Sequence, residues 1–138
     1  MNQWQWLVCL VGVVVLSGCG DAPDGPARYE VSGAVNYKSR PVPRGSILFE
    51  PDTSAGGSGP QGYAEIHDGK FSTSAVGGKG VSAGPHIVRI EGFKLESEAL
   101  ADSSGENIVP MLFEEYKTTV RLPAENSTQN FDVPATTK

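Results

Sequence analysis

Tyr29-Glu30-Val31-Ser32-Gly33-Ala34-Val35-Asn36-Tyr37 decides the fold. Tyr29, Val31, Gly33, Val35 and Tyr37 fall on one side of an extended chain; Glu30, Ser32, Ala34 and Asn36 fall on the other. A period of two over this length predicts a half-buried β-strand. Beyond it, Arg40-Pro41-Val42-Pro43-Arg44-Gly45 breaks the alternation as a turn, and Ile47 and Phe49 open a second strand that Pro51 closes. Residues 52–60 form a Gly/Ser loop. Residues 62–66 resume a strand. Asp68-Gly69 then signals a tight hairpin, because glycine accepts the positive φ such a turn needs. Phe71 and Thr73 lie on the return strand, and residues 76–84 are glycine-rich. Residues 85–91 form another strand, with His86, Val88 and Ile90 on one side and Ile87, Arg89 and Glu91 on the other. Residues 93–116 lack a clear period, and 94–101 could form one or two helical turns. Residues 118–122 and 129–133 are the last strands, separated by Pro123-Ala124-Glu125-Asn126-Ser127. About seven short strands with frequent turn signals predict an all-β antiparallel sandwich.

The chain has 138 residues, which makes one domain the expectation. Its 11 basic residues against 16 acidic ones give a net charge of -5. That balance argues against nucleic acid as a partner, since displacing counterions from phosphate requires a basic surface. It argues equally against adhesion of the folded domain to anionic lipid. A monomer is expected.

The N-terminus has a different character. Leu7-Val8-Cys9-Leu10-Val11-Gly12-Val13-Val14-Val15-Leu16 is an apolar run of signal-peptide length, short of the roughly 20 residues of a membrane-spanning helix. It ends in Leu16-Ser17-Gly18-Cys19, which resembles the bacterial lipobox: Leu, two small residues, then the cysteine that takes a diacylglyceryl group. The resemblance implies cleavage between Gly18 and Cys19 and lipid on Cys19. Met1-Asn2-Gln3-Trp4-Gln5-Trp6 departs from the pattern in having no Lys or Arg. Cys9 would leave with the signal peptide and Cys19 would be acylated, so the mature domain would have neither a disulfide nor a free thiol. Two or three acyl chains, each buried CH₂ contributing about 0.8 kcal/mol, suffice for stable anchoring where a single chain does not. Gly20 follows the cysteine and Asp21 comes one later, so the choice between inner and outer membrane stays open.

Within the domain, Val31-Ser32-Gly33-Ala34-Val35 followed by Arg40-Pro41-Val42-Pro43-Arg44-Gly45-Ser46-Ile47-Leu48-Phe49 resembles the opening of carboxypeptidase regulatory-like domains. Ser39-Arg40 stands where that family usually has Gly before the proline. Asp68-Gly69-Lys70-Phe71 is similar to the family's hairpin. Residues 80–90 are similar to its following strand, with His86 where an aromatic is common. The resemblance covers nearly all of residues 29–133. It implies a seven-stranded prealbumin-like (Ig-like) sandwich and no particular activity.

Candidate chemistry is sparse. His67 and His86 are the only histidines, and with Tyr29, Tyr37, Tyr63 and Tyr116 they are similar in kind to the iron ligands of intradiol dioxygenases. A metal site needs convergent ligands. Here one histidine falls at a turn and the other in a strand, so they read as a solvated turn histidine and a strand histidine. The C-terminal Tyr-Arg-Gly-Ser signature of transthyretin-related hydroxyisourate hydrolases is missing, and there is no Gly-x-Ser-x-Gly elbow. Glu96/Glu98 and Glu114/Glu115 read as solvated charges. Gly77-Gly78-Lys79-Gly80 leads to a strand and so lacks the helix N-terminus that binds anions. A Lys38–Asn130 isopeptide bond would need Asn130 in an apolar core, whereas its alternation with Phe131 puts it in solvent. Asn126-Ser127-Thr128 matches a glycosylation sequon and reads as a turn.

The expected organisation is a lipoprotein signal peptide over 1–18, a tether over 19–28, the sandwich over 29–134 and a tail over 135–138. The expected function is that of a lipid-anchored envelope lipoprotein outside the cytoplasm. It would be a non-enzymatic binding or structural module for an envelope protein or polysaccharide, with no catalytic residues, cofactor or metal. The apolar cluster Val109, Met111, Leu112 and Phe113 is the expected interaction loop, unless it packs over the open end of the sandwich, which the rarity of exposed apolar patches favours. The competing class is a small-molecule carrier or enzyme with a pocket inside the sandwich.

Overall fold

The alternation at Tyr29–Tyr37 becomes strand β1 (Val31–Tyr37), with Val31 and Val35 in the core. The structure is a computed structural model that describes residues 25–96, 100–101 and 103–135. The expected signal peptide, Gly18, Cys19, the first part of the tether, Glu98 and the last residues of the tail lie outside the described residues.

The chain continues as β2 (Arg40–Pro41), β3 (Arg44–Pro51), β4 (Gly62–His67), β5 (Lys70–Ser72) and β6 (Gly84–Phe93). It then passes through β7 (Leu100–Ala101), β8 (Asn107–Ile108), β9 (Met111–Leu122), β10 (Ser127–Thr128) and β11 (Phe131–Val133). The protein is all-β, with a 3-10 turn at Thr53–Ala55 and no α-helix among the described residues. The hairpin expected at Asp68-Gly69 is present: φ is 49° at Asp68 and 75° at Gly69, the pair of positive values of the tight turn whose twist matches its strands.

One hydrogen-bonded sheet runs β10-β1-β5-β4-β3-β6-β9, with β2 and β11 also on β1. It is curled into a half-barrel. Ring contacts reveal the curl. Tyr37 of β1 and Phe113 of β9 are near opposite ends of the hydrogen-bonding order, yet their centroids are 5.0 Å apart. Phe131 of β11 meets Phe49 of β3 at 6.4 Å and Phe71 of β5 at 6.1 Å. Ile47, Phe49, Ile66, Val88 and Ile90 fill the interior with no exposure. Val42, between the two prolines, is also fully buried and donates its N–H to the Val35 carbonyl at 3.0 Å.

Two expectations are corrected. First, the sheet is not wholly antiparallel, because β10 and β11 run parallel to β1. The strand directions require it. From β1 the sheet alternates direction through β5, β4, β3 and β6 to β9, which runs opposite to β1. The turn after β9 reverses the chain once more, so a strand returning beside β1 must point the same way. Two asparagines bridge the junction: Asn126 Oδ1 accepts from Glu30 N–H and Asn130 Oδ1 from Ala34 N–H, each at 2.9 Å. Asn130 is thus exposed, as expected. Gly33 is required at this seam, since a Cβ there would lie 1.8 Å from the Gln129 carbonyl oxygen.

Second, residues 93–116 contain strands where an irregular loop is expected, while Glu96, in the stretch expected to form a helical turn, has 3-10 conformation. Leu100–Ala101 pairs with Asn107–Ile108 in a small hairpin, and from Met111 the chain is already strand. The pairing shifts register here: Ile90 faces Tyr116, but Gly92 faces Phe113. β9 therefore carries one more residue than β6 across this interval, a bulge that breaks the period of two.

Candidate functional site

Direction along β1 orients the domain. Residues 25–30 lead into the start of β1, where Tyr29 bridges Val81. The end of β1, the start of β3, the ends of β4 and β6 and the start of β9 gather at the opposite end. Two open grooves lie there.

The larger groove, 530 Å³, is lined by Tyr37, Lys38, Arg40, Pro41, Pro43 and Leu112. Tyr37 is fixed from below by Phe113 at 5.0 Å, and its hydroxyl points to the Ala135 carbonyl at 3.4 Å. The Lys38 ammonium stands 5.1 Å from the Tyr37 ring centroid, a cation–π contact. Lys38 and Ser39 form the β1–β2 turn with φ of 52° and 60°. Each is a residue with a Cβ in the left-handed region, at a cost of about 1–2 kcal/mol per residue. The turn holds Lys38 and Arg40 outward, and neither is ion-paired among the described residues. In a chain of net charge -5 the groove therefore combines two available cations with an apolar floor of prolines and Leu112.

The second groove, 350 Å³, lies on the outer face of β3, β4 and β6. Arg44 and Glu96 are ion-paired across it, and the His67 Nε2 is 3.0 Å from Glu65. Tyr63, Phe93 and Val109 complete its walls. Farther along the same face, Arg89 donates to Glu50 at 3.1 Å and to Glu115 at 2.8 Å. The hydrogen bond to Glu50 and then that to Glu115 raise the guanidinium pKa.

The four residues of the expected interaction loop separate. Phe113 is buried in the core at 8% exposure, Leu112 and Val109 each wall a groove, and Met111 is 49% exposed. Phe113 belongs to the core and the half-buried Leu112 packs against it, whereas Met111 is exposed. The histidines do not converge. His67 ends β4 on the outer face, whereas His86 is wholly buried near the start of β6. The Gly84 carbonyl can only accept, so His86 Nδ1 donates to it at 3.0 Å, and Nε2 faces the Ser82 hydroxyl at 3.5 Å. That is a core histidine with hydrogen-bond partners. Among the described residues no three Asp, Glu, His or Cys side chains converge as metal ligands. Glu96 and Glu115 are exposed charges, as expected, and each is paired with an arginine, Arg44 and Arg89. Asn130 sits beside Ala34, remote from Lys38 across the remainder of an extended strand.

Sequence reasoning does not single out the Lys38–Arg40 turn as a site. Its one local signal is a two-residue hairpin turn without glycine beside a Pro-x-Pro pair. No described helix is long and apolar enough to cross a membrane. No family model matches the chain, and no curated protein matches it. Among solved structures, a 9R-lipoxygenase from Cyanothece PCC8801 is similar over 78% of this chain and 16% of its own length, with 11% identity and a TM-score of 0.33.

Proposed function

We propose that this chain is an envelope lipoprotein, cleaved before Cys19 and held to a membrane by lipid on that cysteine. Its domain is a non-enzymatic binding module of prealbumin-like sandwich type. The lipobox resemblance at Leu16-Ser17-Gly18-Cys19 supports the anchor. One observation supports the binding role above the others: the N-terminal side of the domain and the Lys38–Arg40 groove lie at opposite ends of β1. A domain tethered through its N-terminus would present that groove away from the membrane. The unpaired cations over Tyr37, Pro41 and Pro43 suit an anionic partner, such as a carboxylate-bearing envelope polysaccharide.

The anchor is tested by the intact mass of the mature protein from its native envelope, with Cys19→Ala as control. A lipidated chain beginning at Cys19 is expected; an unmodified chain still beginning at Met1 refutes the anchor. The binding role is tested by retention on an immobilised uronic-acid polymer at increasing salt. Lys38→Glu/Arg40→Glu is expected to abolish retention that the wild-type chain shows at low salt. Equal retention of both proteins refutes the groove as the site.

A further inference from the structure

The longest strand is also an edge. β9 spans 12 residues and bonds to β6 alone; no other strand among the described residues pairs with its second side. An edge of this length exposes a row of unpaired N–H and C=O groups, which is a template for another strand. Its inner face is incomplete as well. Tyr116 and Val120 pack against the core but stay only half-buried, because the half-barrel stops there.

We propose that β9 pairs antiparallel with the β9 of a second copy of this chain, about a twofold axis at Thr118. Charge and register select this occupant and this centre. With Thr118 opposite Thr118, Glu115 faces Arg121 twice by symmetry, and Tyr116 faces Val120 as an aromatic–β-branched pair. Arg121 is exposed and makes no ion pair among the described residues, while Glu115 contacts only Arg89 among their basic groups. Neighbouring registers that keep both inner faces on the same side fail. Centring on Lys117 sets that lysine against itself; centring on Thr119 sets Lys117 against Arg121. Centring on Tyr116 sets the bulge between Tyr116 and Phe113 beside the middle of the pairing and leaves Arg121 opposite Met111, whereas centring on Thr118 confines the bulge to the ends. The monomer expected from the sequence gives way to a dimer with one continuous sheet. The inference needs neither the lipid anchor nor the Lys38–Arg40 groove.

The test is disulfide trapping in the native envelope, with the wild-type protein as background for any cross-link through Cys9 or Cys19. Thr118→Cys places two Cα atoms about 4.5–5.5 Å apart in this register, within the span of a disulfide. Arg121→Cys places them about 20 Å apart, six residues along the strand, and stays monomeric. Adding Arg121→Glu to Thr118→Cys is expected to cut the dimer yield about tenfold. Adding Glu115→Arg to that variant restores it. No dimer from Thr118→Cys, equal trapping at both positions, or cross-linking of the Thr118→Cys chain to a different protein overturns the proposal.

Discussion

Replacing Gly33 with alanine places a methyl group 1.8 Å from the Gln129 carbonyl oxygen and 3.1 Å from Asn130 Oδ1. The obstruction is backbone and cannot rotate away. It is also held from both sides: Gln129 N–H donates to the Ser32 carbonyl at 2.8 Å, and Ala34 N–H donates to Asn130 Oδ1 at 2.9 Å. Relieving the clash means moving the seam apart. Overpacking of this kind costs about 1–3 kcal/mol, and each lost hydrogen bond about 1 kcal/mol. The expected total is about 3–5 kcal/mol, a large share of the roughly 5–15 kcal/mol typical of a domain. For a domain of about 100 residues it corresponds to a melting temperature lowered by more than about 10 °C. Urea and thermal unfolding followed by circular dichroism give the magnitude. Hydrogen exchange at the Ala34 amide gives the location, since its protection should fall first. A Gly33→Ala protein within about 0.5 kcal/mol of wild type, with Ala34 still protected, would refute the close parallel packing of the C-terminal segment on β1.

Ser39→Gly removes a Cβ from a residue at φ 60° and is expected to stabilise the domain by about 0.5–1 kcal/mol, the gain being reduced by glycine's greater freedom when unfolded; an unchanged or lower urea midpoint would count against the strained turn. Phe113→Ala should cost about 3 kcal/mol, since the ring is buried against Tyr37. Met111→Ala, at a half-exposed position, should cost less than about 1 kcal/mol, so equal losses in chemical denaturation would contradict the division of that segment into core and surface. Asp52 accepts from Ser54 Oγ at 2.5 Å and caps the 3-10 turn, and the Ser54 hydroxyl holds its carboxyl below the ordinary range. A lowered carboxyl stabilises fully above its unfolded pKa of about 4 and loses that contribution as pH falls through the lower folded value. Asp52→Asn should therefore flatten the melting-temperature profile below about pH 4, and an unaltered acid limb would refute the assignment.

Much of the fold is legible because four strands obey a period of two without interruption. β1, β3, β4 and β6 alternate inward and outward side chains over their lengths, and Asp68-Gly69 announces its own turn. β9 is legible only from Thr118 on. Its extra residue puts both Phe113 and Tyr116 on the inner side, three apart instead of two, and the alternation fails there. The parallel return of β11 has no local signal. In sequence Asn126 reads as a turn residue and Asn130 as a solvent-facing strand residue, and their role of accepting the Glu30 and Ala34 N–H groups exists only once β1 lies beside them.

The site is illegible for a related reason. Tyr37, Lys38, Arg40, Pro41 and Pro43 are close in sequence, but Leu112 and the supporting Phe113 come from β9, near the other end of the hydrogen-bonding order. Only the curl of the sheet closes the groove, and curl is a property of the whole sheet that no single strand encodes. What the sequence does carry is a local conflict: a two-residue hairpin turn built from Lys38 and Ser39 where glycine or asparagine would be relaxed. Local rules broken in an otherwise consistent sequence point to function or strain. A Gly-containing turn would keep the hairpin at lower cost. Lys38 also supplies the cation over Tyr37, so an unstrained Asn-Gly turn would remove one of the groove's two free charges. The strain at Lys38 thus belongs to the binding reading, whereas Ser39 adds strain without a contact to the groove, which is why Ser39→Gly should raise stability and leave retention on an anionic polymer unchanged.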